Sequence, residues 1–397
     1  MDTPIVELDG DEMTRVLWHW IKEYLLEPHI DLNIDYYDLH IKNRDLTNDR
    51  VTIDAANATK KYGVAVKCAT ITPNKDRQEE YDLKEIWASP NGTIRKILKG
   101  TVFRVPIIID TLRPVIPNWK KPITIARHAY GDQYLSVSLE VDKETKVEFV
   151  LTDKNGNEKR TPIFDFEEKG ILMGYTNLDS SIEDFANTCL QYALDEKTDL
   201  LFGAKDTVVK TYDYKFKDIF QRLYEEDYKN SYEEKGIRYT YTLIDDAIAK
   251  VVKSDGGMIL ACKNYEGDLM SDLVAAGFGS LALMTSVLVS QNGYYEYEAA
   301  HGTVMNHYYK YLKGEETSTN PIALIFTWTG GLRKRGKLDS NIDLINFSNK
   351  LEKATIDIIN DGILTKDLMQ SSTVENKRQV NSKEMILLIG EKLMTLM

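Results

Sequence analysis

Asp268 and Asp272 stand four residues apart in the run Glu266-Gly267-Asp268-Leu269-Met270-Ser271-Asp272. On a helix this spacing sets both carboxylates on one face. Two hard oxygen donors side by side suit Mg²⁺ or Mn²⁺, which keep positions open for substrate oxygens and water. A third ligand has to come from elsewhere, and Asp245 and Asp246 are the candidates. A second group is basic: Arg95, Arg104 and Arg127 each follow apolar or turn residues at expected element ends. Guanidinium groups grip carboxylates through paired hydrogen bonds, so three that converge suit a di- or tricarboxylate. Two further groups can move protons, Lys205 after the strand-like Leu200-Leu201-Phe202 and Tyr134 after Gly131-Asp132-Gln133. Neither has a local signature, and Tyr134 is one of 23 tyrosines.

A nucleotide site is harder to find. No GxGxxG follows an early strand, so the Rossmann fingerprint is missing. Two other segments let a backbone approach phosphate: the small-residue run Ala299-Ala300-His301-Gly302-Thr303-Val304, and Lys67-Cys68-Ala69-Thr70-Ile71-Thr72-Pro73.

The elements that must carry these residues read as α/β. Apolar runs predict strands at 5–8, 34–39 and 64–69, with helices at 11–26 and 49–62 between them, a βαβ alternation. From about Tyr134 to Phe166 the pattern becomes a hairpin, with an Asn-Gly turn signal at Asn155-Gly156. Helices are expected again at 181–194 and 216–232, a strand at 239–243, and a mostly helical C-terminal third ending in a helix at 383–396.

Composition narrows the partners. With 50 Lys and Arg against 62 Asp and Glu, the net charge of −12 disfavours nucleic acid and anionic membrane surfaces. Cys68, Cys189 and Cys262 form no CxxC, which argues for a reducing compartment with neither disulfides nor a zinc site. No apolar run is long enough to span a bilayer, and neither a signal peptide nor an Arg- and Ser-rich transit peptide is evident. A cytoplasmic location, with the mature chain starting near Met1, is therefore expected.

Taken in order, eleven strings resemble the eukaryotic-type, homodimeric NADP-dependent isocitrate dehydrogenases of the isocitrate/isopropylmalate dehydrogenase family. They are residues 10–15 (GDEMTR), 66–73, 89–95, 100–104, 127–134 (RHAYGDQY), 212–221, 243–246, 261–268, 284–289, 298–304 and 316–321 (ETSTNP). The resemblance covers roughly residues 5 to 368, and the last thirty residues match poorly. It implies a fold that is not Rossmann: a large α/β domain (1–98 and 278–397), a small α/β domain (99–131 and 179–277) and a β-rich clasp (132–178) through which two subunits interlock. It also implies oxidative decarboxylation of isocitrate to 2-oxoglutarate and CO₂. The alternatives are a homoisocitrate or 3-isopropylmalate dehydrogenase, or a catalytically silent subunit of the same fold.

By resemblance, Thr72, Ser89, Asn91, Arg95, Arg104 and Arg127 hold the substrate carboxylates. Asp268 and Asp272, with Asp245 of the other subunit, bind Mg²⁺ or Mn²⁺. Lys205 of the other subunit acts in deprotonating the substrate hydroxyl, and Tyr134 protonates the product enolate. The cofactor residues carried over are Lys67, Thr70, Thr72, Arg77, Asn91, His301, Gly302, Thr303, Val304, His307 and Asn320, with Lys253 from the other subunit. NADP is the expected cofactor. NAD is the alternative, because Asn306 stands where the NADP-type pattern has an arginine that pairs with the 2′-phosphate, and Thr242 replaces a second usual arginine. Lys250, one turn before Lys253, restores positive charge nearby.

Overall fold

The computed structural model describes residues 1–397. They form two compact units, one of residues 1–129 with 179–397 and one of residues 130–178.

The first unit is built on a ten-stranded mixed sheet. Four parallel strands, Tyr239–Leu243, Asp199–Ala204, Met258–Cys262 and Ile123–His128, make one end. Four more, Tyr295–Ala299, Val64–Lys67, Ile5–Asp9 and Ile34–Asp38, are parallel at the other. Between them run Thr101–Pro106 and Met284–Val289, paired antiparallel to each other and to their outer neighbours. This mixed α/β order, with its antiparallel centre, is not a doubly wound Rossmann sheet.

Sequence and structure agree on most elements here. Val64–Lys67 and Ile123–His128 are buried at every position, as strands covered on both faces must be. The expected helix at 11–26 is an α-helix over Glu12–Ile21 that widens into a π turn at Lys22–Leu26. The helix expected at 216–232 is likewise interrupted, by a π turn at Tyr224–Tyr228. The apolar face of Glu12–Ile21 packs the core, where the Trp18 and Trp328 rings lie 4.7 Å apart.

The second unit holds two antiparallel strand pairs, Val137–Val141 with Gly170–Gly174 and Thr145–Thr152 with Glu158–Phe166. The Asp153 carboxylate accepts from the backbone N–H groups of Asn155 and Asn157, closing the turn signalled by Asn155-Gly156. Two-stranded pairs are marginal on their own, and these leave Val137, Leu139, Leu151, Phe164 and Ile171 all more than half exposed.

Candidate active site

The two aspartates do share one helix face. The strand Met258–Cys262 runs into the helix Asn264–Phe278, which carries Asp268 and Asp272 one turn apart. Two arginines meet them from adjacent strands. Arg127, buried on Ile123–His128, donates through Nε to Asn264 Oδ1 at 2.9 Å and through Nη1 to the Asp268 carboxylate. Arg104, on Thr101–Pro106, donates through Nη1 to Ser271 Oγ at 2.9 Å and to Asp272 Oδ1 at 3.2 Å. Gly267 lets the helix come this close: a Cβ there would lie 2.8 Å from Arg127 Cβ and 2.9 Å from Arg127 Cγ.

The third arginine joins from the helix Pro90–Leu98. Arg95 is buried and donates through Nη2 to Glu298 Oε1 at 2.8 Å. Ser89 occupies the N-cap of that helix with no capping bond from its side chain, and Asn91 lies in the first turn. Two polar atoms at these positions are buried without a partner, Asn91 Oδ1 and Arg104 Nε. Buried orphan groups are rare in native proteins, so these two atoms are free to meet a ligand or water.

The segment Lys67 to Thr72 is held in place by Asp11. Its carboxylate accepts from the N–H of Ile41 and the N–H of Ile71, each at 2.8 Å. Gly10 is required beside it, since a Cβ there would fall 2.0 Å from the Ala69 carbonyl oxygen. Lys67 is buried, with Nζ bonded to Cys68 O and Thr70 Oγ1 and 3.7 Å from Glu298 Oε2. Thr72 is exposed. Arg77 pairs with Glu12 and Glu80 and donates to Tyr309 OH. Glu12 also accepts from Thr303 Oγ1, which ties this segment to the loop His301-Gly302-Thr303-Val304.

That loop leads into the helix Met305–Leu312 through Val304 at φ +59°, a costly conformation for a β-branched residue. His301 Nδ1 contacts Gly302 O at 2.9 Å, while His301 Nε2 and His307 Nδ1 lack partners. Burial holds both imidazoles below their usual pKa, and the Lys310 ammonium adds to this at His307. Near neutral pH both rings are therefore uncharged and able to accept or donate one hydrogen bond. Asn320 is buried and donates to Asp367 Oδ2 at 2.5 Å.

Lys205, Asp245 and Lys253 form a second group. Ala204 and Leu243 are register partners on adjacent strands, which brings Lys205 Nζ to 2.5 Å from Asp245 Oδ1 at the sheet's edge. The Lys205 ammonium holds the exposed Asp245 carboxyl below the ordinary range. Lys253 ends the helix that Asp245 begins, and Lys250 lies one turn earlier. No group of three metal-ligating side chains forms within the single chain. Tyr134 belongs to the second unit, in the short turn Asp132–Leu135.

Sequence reasoning assigned no role to Asn264, Gly267, Glu12, Glu296 or Glu298. The alternation Tyr295-Glu296-Tyr297-Glu298 looks like a strand with one wet face, yet both glutamates are buried in the middle of the sheet. Only their position beside three basic residues would have flagged them.

The sequence profile described as isocitrate/isopropylmalate dehydrogenase matches residues 2–389, past the last of the eleven strings. A pig protein named mitochondrial NADP isocitrate dehydrogenase is 54% identical over 367 residues, 92% of this chain and 87% of its own length. The human protein of that name is 53% identical over 92% of this chain and 81% of its own length, and the one from Aspergillus niger is 50% identical over 98% and 79%. These names overturn the expectation of a cytoplasmic location, which rested only on the lack of a recognisable leader. With the profile spanning nearly every residue and relatives at this level of identity, the chain belongs to the isocitrate/isopropylmalate dehydrogenase family.

Proposed function

We propose that this chain is an NADP-dependent isocitrate dehydrogenase: it oxidises isocitrate at C2 with NADP and releases the C3 carboxylate as CO₂, leaving 2-oxoglutarate. The observation that carries the reading is the pair of neighbouring cation–anion contacts, Arg127 with Asp268 and Arg104 with Asp272, in a chain of this family. Its named relatives favour isocitrate over other 2-hydroxy acids.

Arg104 and Arg127 each hold an aspartate where the substrate carboxylates would lie, and Arg104 Nε is a buried donor with no partner of its own. Arg95, Ser89, Asn91 and Thr72 complete the proposed carboxylate pocket, and the free first turn of the helix Pro90–Leu98 favours negative charge there. Asp268 and Asp272 offer a hard, anionic donor set that fits Mg²⁺ or Mn²⁺ with one further carboxylate. A divalent cation held there supplies Lewis acidity that stabilises negative charge developing on the C2 oxygen. For NADP we assign Lys67, Thr70, Thr72, Arg77, Asn91, His301 to Val304, His307 and Asn320. The orphan nitrogens of His301 and His307 support this, and Lys250 and Lys253 would answer the 2′-phosphate in place of the arginine missing at Asn306.

The remaining assignments are intermolecular. Lys205 contacts Asp245, and Lys253 closes the helix on which Asp245 sits, so we assign all three as donors to a second subunit's site. The exposed apolar strands of residues 132–178 supply a clasp for that dimer, because contiguous apolar surface marks an interface. We assign residues 1–98 and 278–397 to the large domain and 99–131 and 179–277 to the small one. Lys205 acts in deprotonating the C2 hydroxyl in the first step and Tyr134 returns a proton to C3 in the last.

Two measurements test this. With isocitrate and Mg²⁺, kcat/KM for NADP should exceed that for NAD by about tenfold or more, since a charge-assisted contact is worth about 1.5–3 kcal/mol; turnover confined to 3-isopropylmalate would defeat the substrate assignment. Gly267→Ala should raise the Mg²⁺ concentration for half-maximal rate by about tenfold, because overpacking costs about 1–3 kcal/mol and shifts both aspartates together. An unchanged Mg²⁺ requirement would show that the helix does not set the metal site.

A further inference from the structure

A row of side chains crosses four strands on one face of the sheet. Lys67, Glu298, Ser286 and Arg104 are successive register partners from Val64–Lys67 to Thr101–Pro106. Arg95 reaches the same carboxylate from the helix above. Glu298 thus touches a residue proposed to hold isocitrate, Arg95, at 2.8 Å, and one proposed to hold the cofactor, Lys67, at 3.7 Å. Ser286 Oγ adds a weak third contact at 3.4 Å. Two positions back on the same strand and face, Glu296 is equally buried.

We propose that Glu298 is a positioning residue that binds Arg95 and Lys67 to one shared carboxylate and so couples isocitrate binding to cofactor binding. The inference rests on the function proposed above. An incoming substrate carboxylate draws Arg95 away from Glu298. Lys67 then becomes the carboxylate's main partner and is fixed for the cofactor. Linkage makes the effect reciprocal: whatever the cofactor gains from isocitrate, isocitrate gains from the cofactor.

The charge balance supports this arrangement. Burial opposes ionisation of Glu298, but Arg95, Lys67 and Arg104 outweigh it and hold that carboxyl below its usual range. Glu296 goes the other way: burial, then the Glu298 charge, raise its pKa against the pull of Lys67 and Arg95. Those groups are the charges that act on it, since its register partners on the two neighbouring strands are the apolar Leu288 and Ala65. With Glu296 neutral, the three cations exceed Glu298 and Asp272 by one charge. As pH rises through the raised Glu296 pKa that surplus disappears, so isocitrate binding weakens on the alkaline side of neutrality.

Isothermal titration of the intact protein with isocitrate and Mg²⁺, with and without NADPH, tests the coupling without turnover. In the wild-type protein NADPH should tighten isocitrate by about fivefold or more. Glu298→Gln should bring that factor close to one. Glu298→Asp keeps the charge should the amide impair folding, and its factor should fall between the two. Glu296→Gln should flatten the alkaline loss of affinity. Undiminished coupling in both Glu298 variants, with normal wild-type binding, overturns the positioning role alone. Failure of the wild-type protein to bind isocitrate overturns both this inference and the proposed function.

Discussion

Replacing Arg127 by histidine should lower kcat/KM for isocitrate by about 10²–10³-fold. Removing one partner of a buried, hydrogen-bonded charge pair costs about 2–5 kcal/mol, and each 1.4 kcal/mol is about tenfold. The loss has two sources that act in the same direction. The shorter imidazole cannot span from the strand to a substrate carboxylate, and it no longer holds Asn264 and Asp268. Arg127→Lys separates these effects: it keeps a charge but not the planar fork. Steady-state kinetics, with thermal unfolding to check that each variant is folded, is the measurement. A histidine variant with full kcat/KM would remove Arg127 from the site.

Subunits carrying Lys205→Met and subunits carrying Asp268→Asn should each be nearly inactive alone, yet regain activity when co-refolded. If each site takes its lysine from the neighbouring chain, a mixed dimer has one intact site and one with both lesions. Random pairing makes half the dimers mixed, so about a quarter of wild-type activity should return in a two-fold symmetric assembly. If Lys205 serves the aspartates of its own chain, every site keeps one lesion and nothing returns. The first outcome is the expected one under the proposed function, which assigns Lys205 and Asp245, in contact at 2.5 Å, to the second chain's site. Activity of the mixture, compared with the two variants assayed separately, decides it.

Much of the frame was legible because it depends on local pattern. The strands at 5–9, 34–38 and 64–67 and the helix Arg50–Tyr62 follow from apolar periodicity, and the four-residue spacing of Asp268 and Asp272 was enough to set them on one face. What spacing does not give is which strands become neighbours. Arg104 and Arg127 are far apart in sequence and meet the same helix only because Thr101–Pro106 turns back beside Ile123–His128. The antiparallel centre of the sheet was invisible for the same reason, as were the π turns, whose residues look like ordinary helix. Glu296 and Glu298 mislead because buried charge breaks the rule that charged residues face water; the cations that offset them come from other elements. Resemblance, not pattern, supplied the roles of Lys205 and Tyr134.

The three cysteines have a consequence for how this protein meets oxidants. All three thiols are fully buried, and burial raises their pKa well above the ordinary value. Peroxides and electrophiles attack thiolates, which are nearly absent here and shielded from contact. While folded, the molecule therefore offers no sulfenic acid chemistry at cysteine, and its thiols become reactive only in chains that have already opened.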